Sequence, residues 1–245
     1  MASEIEEIRK IFWHELGHLC TNIFKTEKYP KYNISLLNIS FTNERSRLFK
    51  WHGHVDTLPP IPHENLVENL NLLTYSLMGI ISGCVFQTVY SVKVLGNADL
   101  NYDSCFCHTN NCIGSGDFNS FHAILSQLRK RYPQLRGNRN FSQYSEVDLP
   151  NAFLNELAKN NDFIIGMTEI AEKHCSGIYD LYLKQGKDVN LSFNLENGKI
   201  EHLIEELRPI LVKCKFPEVI NKYSDNFLDS LKQGITKPSP ITPLK

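Results

Sequence analysis

The segment "IFWHELGHLC", residues 11 to 20, constrains this chain more than any other. Two histidines four positions apart lie one above the other only on a helix. Ser3 and Glu6 form a capping-box pattern that would start that helix, and helical periodicity runs on to about Lys25. At roughly 100° per residue, Ile5, Ile8, Phe12, Leu16, Leu19 and Ile23 cluster on one side. His14 and His18 fall about 40° apart on nearly the opposite side, and Glu15 lies between the two faces. One face can dock on a core while the other aims two imidazoles at a common point. Tetrahedral zinc requires such convergence, because its bonds to nitrogen are only ~2.0–2.1 Å long. Gly17 leaves room beside the pair for a backbone to approach.

The residue types assign roles. His14 and His18 would be ligands of a Zn2+ ion. Glu15 would take a proton from the zinc-bound water as that water attacks a peptide carbonyl, then pass it to the leaving amine. The opposing view is a short motif matched by chance on an ordinary helix. The capped, amphipathic setting of the histidines favours the metal.

Downstream, "NISLLNISF" and "RLFKWHGHV" alternate as two strands, with Leu37, Ile39 and Phe41 on one face of the first and Phe49, Trp51 and Val55 in the second. Asn43 and Glu44 lie between them, which predicts a hairpin. After the break "PPIP", Leu66, Leu70, Leu73, Leu77 and Ile80 repeat at helical spacing and predict one long buried helix from about Glu64 to Tyr90. Residues 96 to 116 read as loop, and a further helix begins near Asp117. Pro133 to Asn140 reads as a turn. From about Val147 to Leu231 the chain reads as mostly helical, with a short extended piece near "VNLSFNLENGK". The expected fold is therefore mainly α with a small β-hairpin or sheet. The expected domain spans 1–235, and a proline-rich tail over 236–245 should be disordered.

Composition excludes several classes. Of 245 residues, 42% are apolar, enough for one sizeable core, and the net charge of −1 argues for neither nucleic acid nor an anionic membrane. No GxxxxGK[ST] phosphate loop occurs. The start "MASEIEEIRK" lacks the features of a signal peptide, and the most apolar run, Leu77 to Phe86, is short of the roughly 20 residues a membrane span needs. Seven cysteines make an odd set without a disulfide framework. These features predict a soluble cytoplasmic protein.

The third ligand is less direct. Thr21 and Phe24 stand where an extended metzincin motif would have glycine and histidine, so that class is out. Glu64 and Glu68 in "HENLVENL" are candidates, as is a more distant aspartate. Four features in one order resemble the protease domain of the FtsH-type ATP-dependent zinc metalloproteases. They are the helix "IFWHELGHLC", where that family has HEAGH; the two strands directly after it; the apolar helix ending "LMGIISGCVF", where the family has "LGGRxAE"; and "IGSGDFNSFHAIL", where it has an aspartate opening a helix. The resemblance covers about residues 3 to 130. It implies an FtsH-like metallopeptidase helical fold, with Asp117 as third zinc ligand and Glu15 as catalytic base. Without the resemblance, Asp117 reads as a plain helix cap.

Departures are plain. Cys84, Val85, Phe86 and Gln87 stand where the family's arginine and glutamate would be, which removes the support that glutamate would give the site. The interval from His18 to Asp117 is long, and neither the ATPase domain nor the membrane helices are present. The implied activity is zinc-dependent hydrolysis of peptides or unfolded segments, with substrate delivery by a separate ATPase or adaptor as one route. A non-catalytic peptide-binding or scaffold module with the same fold is the alternative, as is a regulatory HELGH peptidase that cleaves a repressor. Neither the oligomeric state nor the cleavage preference is readable.

Other clusters have weaker readings. Cys105, Cys107, His108 and Cys112 could form a second zinc site, or simply populate a loop. His52 and His54 could bind metal or stabilise an oxyanion, or face solvent on a strand. His122 could support a ligand from one turn away. His174 and Cys175 read as packing, and "LRKRYPQLRGNR" as a solvated helix end.

Overall fold

The computed structural model describes residues 4–42, 51–60, 62–97, 101–107, 113–185, 189–196 and 198–236. Helix α1 (Glu4–Lys28) leads into strands β1 (Asn33–Phe41) and β2 (Trp51–Leu58). Helices α2 (His63–Leu66), α3 (Leu70–Val89), α4 (Tyr102–Cys105), α5 (Ser115–Arg131), α6 (Arg139–Gln143), α7 (Leu149–Leu157) and α8 (Asn161–Gln185) follow. Strand β3 (Leu191–Glu196) precedes the last helices, α9 (Gly198–Lys213) and α10 (Phe216–Thr236). The molecule is mainly helical with one small antiparallel sheet in the order β2-β1-β3.

α1 is more central than its periodicity predicts. Every residue from Ile11 to Gly17 is buried, so nearly two turns are covered on all sides rather than along one stripe. Trp13, which lies off the predicted stripe, is fully buried against Phe86, Tyr90 and Phe163. α3, α8 and the sheet all pack on this helix. The histidine side of α1 therefore lines the interior of a groove and is not an open surface. Ser3 of the expected capping box lies outside the described residues.

The hairpin gains a third strand. Leu37 pairs with Val55 on one side and Leu195 on the other, and Ile39 with Gly53 and Phe193. Leu37, Ile39 and Phe41 are buried, while Asn38 and Ser40 between them are only partly covered, as the period of two requires. β2 runs on past Val55 to Leu58. Phe49, Asn43 and Glu44 lie outside the described residues.

The single long helix expected from Glu64 to Tyr90 is two helices. Asn69 ends the continuity: its backbone is extended, and its side chain accepts from the Leu72 amide as an N-cap for α3. Beyond α3, a π turn carries the helical path to Val94. The stretch from Leu70 to Val94 is long and apolar enough to cross a membrane, yet 89% of its most apolar window is buried inside this fold. Residues 96 to 116, expected as loop, contain α4, whose Tyr102 and Cys105 are buried. The expected turn at Pro133 to Asn140 holds a 3-10 turn, and α6 begins within it. Of the expected tail over 236–245, Thr236 is the last residue of α10, and residues from 237 onward lie outside the described residues.

Candidate metal centre

α1 and α3 run antiparallel and close enough for backbone contact. A Cβ at Gly17 would strike the Ser82 carbonyl oxygen and come within 2.6 Å of the carbonyl carbon. Thr21 and Ser82 hydroxyls then bond at 2.7 Å. Gly83 sits directly beneath the histidines: a Cβ there would lie 2.5 Å from His18 Nε2 and 2.8 Å from His14 Nε2. Absence of a side chain at Gly83 is what lets both rings turn toward one point.

Asp117 comes to that point from α5. The helix starts at Ser115, two residues earlier than expected, behind Gly114, which makes no side-chain cap bond. Asp117 is thus in the first turn and does not cap it. Its Oδ2 lies 2.9 Å from His14 Nε2 and 3.3 Å from His18 Nε2, and the two Nε2 atoms are 3.1 Å apart. A tetrahedral ion with bonds of ~2.0–2.1 Å has donor-to-donor edges of roughly 3.3 Å. The triangle is close to one face of such a tetrahedron.

The outer nitrogens of both rings decide what the inner ones carry. His14 Nδ1 donates to Gln87 Oε1 at 3.0 Å, and His18 Nδ1 to the Gly79 carbonyl at 2.8 Å. Each neutral ring then presents the Nε2 lone pair inward. Two lone pairs and a carboxylate oxygen meet with no donor between them, so the centre of the triangle calls for positive charge. Ionisation responds accordingly. Burial opposes charge on both imidazoles, but Asp117, joined by Cys105 at His14 and by Glu15 at His18, outweighs it and holds both above their ordinary value. Burial would likewise raise the Asp117 carboxyl, yet the imidazoles, His18 foremost, hold it well below the carboxylate range. Protons satisfy the triangle without metal; a cation would displace them.

Glu15 stands beside the triangle and outside it. Its carboxylate lies within 4.8 Å of the imidazole nitrogens. It packs on Gly53 of β2, where any Cβ would collide with Glu15 Cγ and Oε1. The side chain is 3% exposed, and Oε2 has no hydrogen-bond partner among the described residues. Burial raises its pKa, with the two imidazoles partly opposing. A buried carboxylate oxygen without a partner is costly for a fold to keep unless chemistry uses it. A groove of about 660 Å³ opens over these residues, walled by β2, α1, α3 and the start of α5.

Other predicted residues are placed elsewhere. Glu64 is exposed, and exposed Glu68 pairs loosely with Arg131 at 3.8 Å, so neither joins the triangle. His52 and His54 pair across from Ser40 and Asn38, on the face of the strand away from the core, and border the groove; His54 bonds Asp56 at 2.6 Å. The His122 ring lies tilted against Phe118 at 4.1 Å between centroids. His174 stacks on Phe12 and bonds Glu206, and Cys175 is buried, which is packing.

Two features escaped the sequence reading. Gln87, one of the residues that depart from the family pattern, supplies the acceptor behind His14. Cys105 turns inward from its cluster: its Sγ lies 2.6 Å from Cys84 Sγ, 3.3 Å from Gln87 Oε1 and 3.9 Å from His14 Nδ1. His108 and Cys112 lie outside the described residues. Two thiolates on one zinc would stand roughly 3.7 Å apart, given Zn–S bonds of ~2.3 Å, so Cys84 and Cys105 at this spacing form a contact pair and not a shared metal site. No protein-family model, curated protein or solved structure matches the chain.

Proposed function

We propose that this protein is a zinc metallopeptidase with a peptidase core of the FtsH-like kind. One observation carries the reading: two imidazole nitrogens and one carboxylate oxygen form a triangle of tetrahedral size, next to a buried glutamate whose Oε2 has no hydrogen-bond partner among the described residues. The donor set of two histidines and one carboxylate fits zinc with one position left open. Zinc held there would supply a Lewis acid that acidifies water and polarises a carbonyl.

The chain's own residues supply the rest. Glu15 takes the proton from the attacking water and delivers it to the departing amine, so one peptide bond and one water give a carboxyl and an amine. Its raised pKa suits both halves of that transfer. Gln87 and Gly79 hold the two rings with Nε2 inward. The outer edge of β2 has no strand partner among the described residues and borders the groove, so an extended peptide can lie along it by main-chain bonds. That mode suits peptides and unfolded segments, and a separate ATPase or adaptor would deliver folded ones.

Glu15→Gln is the test. We expect zinc content to be retained while cleavage of an unfolded protein such as casein falls by about 10²- to 10⁴-fold. Undiminished cleavage by the variant would reject the mechanism.

A further inference from the structure

Seven residues beyond His18, the same side of α1 presents a second unusual group. Lys25 lines the groove and is only 6% exposed. Lysines are almost never buried this fully without a partner. Nothing anionic accompanies this one among the described residues: the only influence on its ionisation is burial, which lowers its pKa to about 8. Among the described residues, the carboxylates that line the groove, Glu15 and Asp117, are both at the histidine end.

Ser76 of α3 adds an independent sign. Ser76 also lines the groove, and its Oγ is shut off from solvent with no hydrogen-bond partner among the described residues. The helix register brings the two together. His14 meets Gln87, His18 meets Gly83 and Asn22 approaches Gly79, a step of four down each helix. Three residues further along each helix, the same antiparallel register sets Lys25 level with Ser76. Asn22, between Lys25 and the histidines, lines the same wall. A cation, a hydroxyl and an amide thus line one end of the groove with no carboxylate among them.

We propose that Lys25 and Ser76 form an anion subsite that takes a carboxylate of the peptide, so that the enzyme selects substrates bearing one at a set distance from the cleaved bond. Seven helical residues rise about 10 Å, and an extended peptide covers that in about three residues. The carboxylate can be an acidic side chain or the chain's own C-terminus. At neutral pH Lys25 is still mostly protonated, so the charge is present to be used. An unpaired buried ammonium weakens the free protein, and substrate would supply the missing counter-charge.

This inference rests on the peptidase reading but is tested by binding alone. Fluorescent peptides are titrated against the zinc-loaded Glu15→Gln protein and followed by anisotropy. One peptide carries an internal glutamate and an amidated end, one a free C-terminus and no acidic side chain, one neither. We expect one or both acid-bearing peptides to bind about tenfold tighter than the neutral one. Which of the two is preferred identifies the source of the carboxylate. Lys25→Met should collapse that ratio to near one, and Ser76→Ala should reduce it, with both variants folded by circular dichroism. Equal binding of all three peptides, or a ratio that survives Lys25→Met, would overturn the proposal. Cleavage without acid preference would sink the subsite alone; acid preference without cleavage would sink the peptidase reading alone.

Discussion

At His14 the partner that matters most is 73 positions away. Gln87 Oε1 accepts the Nδ1 proton and so fixes which nitrogen faces the triangle. Gln87→Leu removes that acceptor while keeping the volume similar. Zinc affinity, measured by competition with a chelating dye, should fall about 10- to 100-fold; unchanged affinity would mean the ring is oriented by packing instead. Lys25 gives a pH signature. Its pKa falls from 10.5 to about 8 on folding. Between those values the unfolded chain holds a proton that the native protein has shed, so stability rises with pH across the window. Below pH 8 both states are charged and the native state bears the burial cost, roughly 3 kcal/mol. Lys25→Met should therefore melt higher than the parent at pH 7, and the gap should narrow by pH 10. A constant gap in thermal melts across that range would show that Lys25 is not held charged in the interior.

Among the elements, α3 matters as much as α1. Gly83→Ala would improve helix propensity by about 1 kcal/mol, yet its methyl group would push directly on both Nε2 atoms. We expect a folded protein that no longer retains zinc, read by metal content after gel filtration. Retention at full stoichiometry would show that the rings can yield without losing the site. This contribution was invisible in sequence, because a glycine in an apolar helix declares nothing about a ligand packed on it from another helix. The histidines and Glu15 were legible because one helix turn sets their spacing. Asp117 needed the family resemblance, since almost a hundred residues separate it from His18 and no local pattern spans that interval. Asn69 is a capping residue type, but the apolar repeat on both sides of it has the spacing of one unbroken helix, which hides the break. α4 was hidden by a polar, cysteine-containing context, although Tyr102 and Cys105 are the residues it buries. β3 showed its alternation in Leu191, Phe193 and Leu195, but only pairing with β1 on the far side of the hairpin makes it a strand.

For the molecule as a whole, the site belongs to the core and not to its surface. One continuous cluster of buried side chains runs from Ile8 to Leu231, and α1 passes through it. The triangle is thus formed by packing before any ion arrives, with Asp117 brought to the two rings by α5 and Glu15 pressed against β2. Such a site should bind metal without refolding. The most direct measurement is anomalous diffraction at the zinc edge from crystals grown with zinc. The account predicts one peak within ~2.0–2.2 Å of His14 Nε2, His18 Nε2 and Asp117 Oδ2, with Glu15 beyond bonding distance. No peak there, or a peak at Cys84 and Cys105 instead, would contradict it.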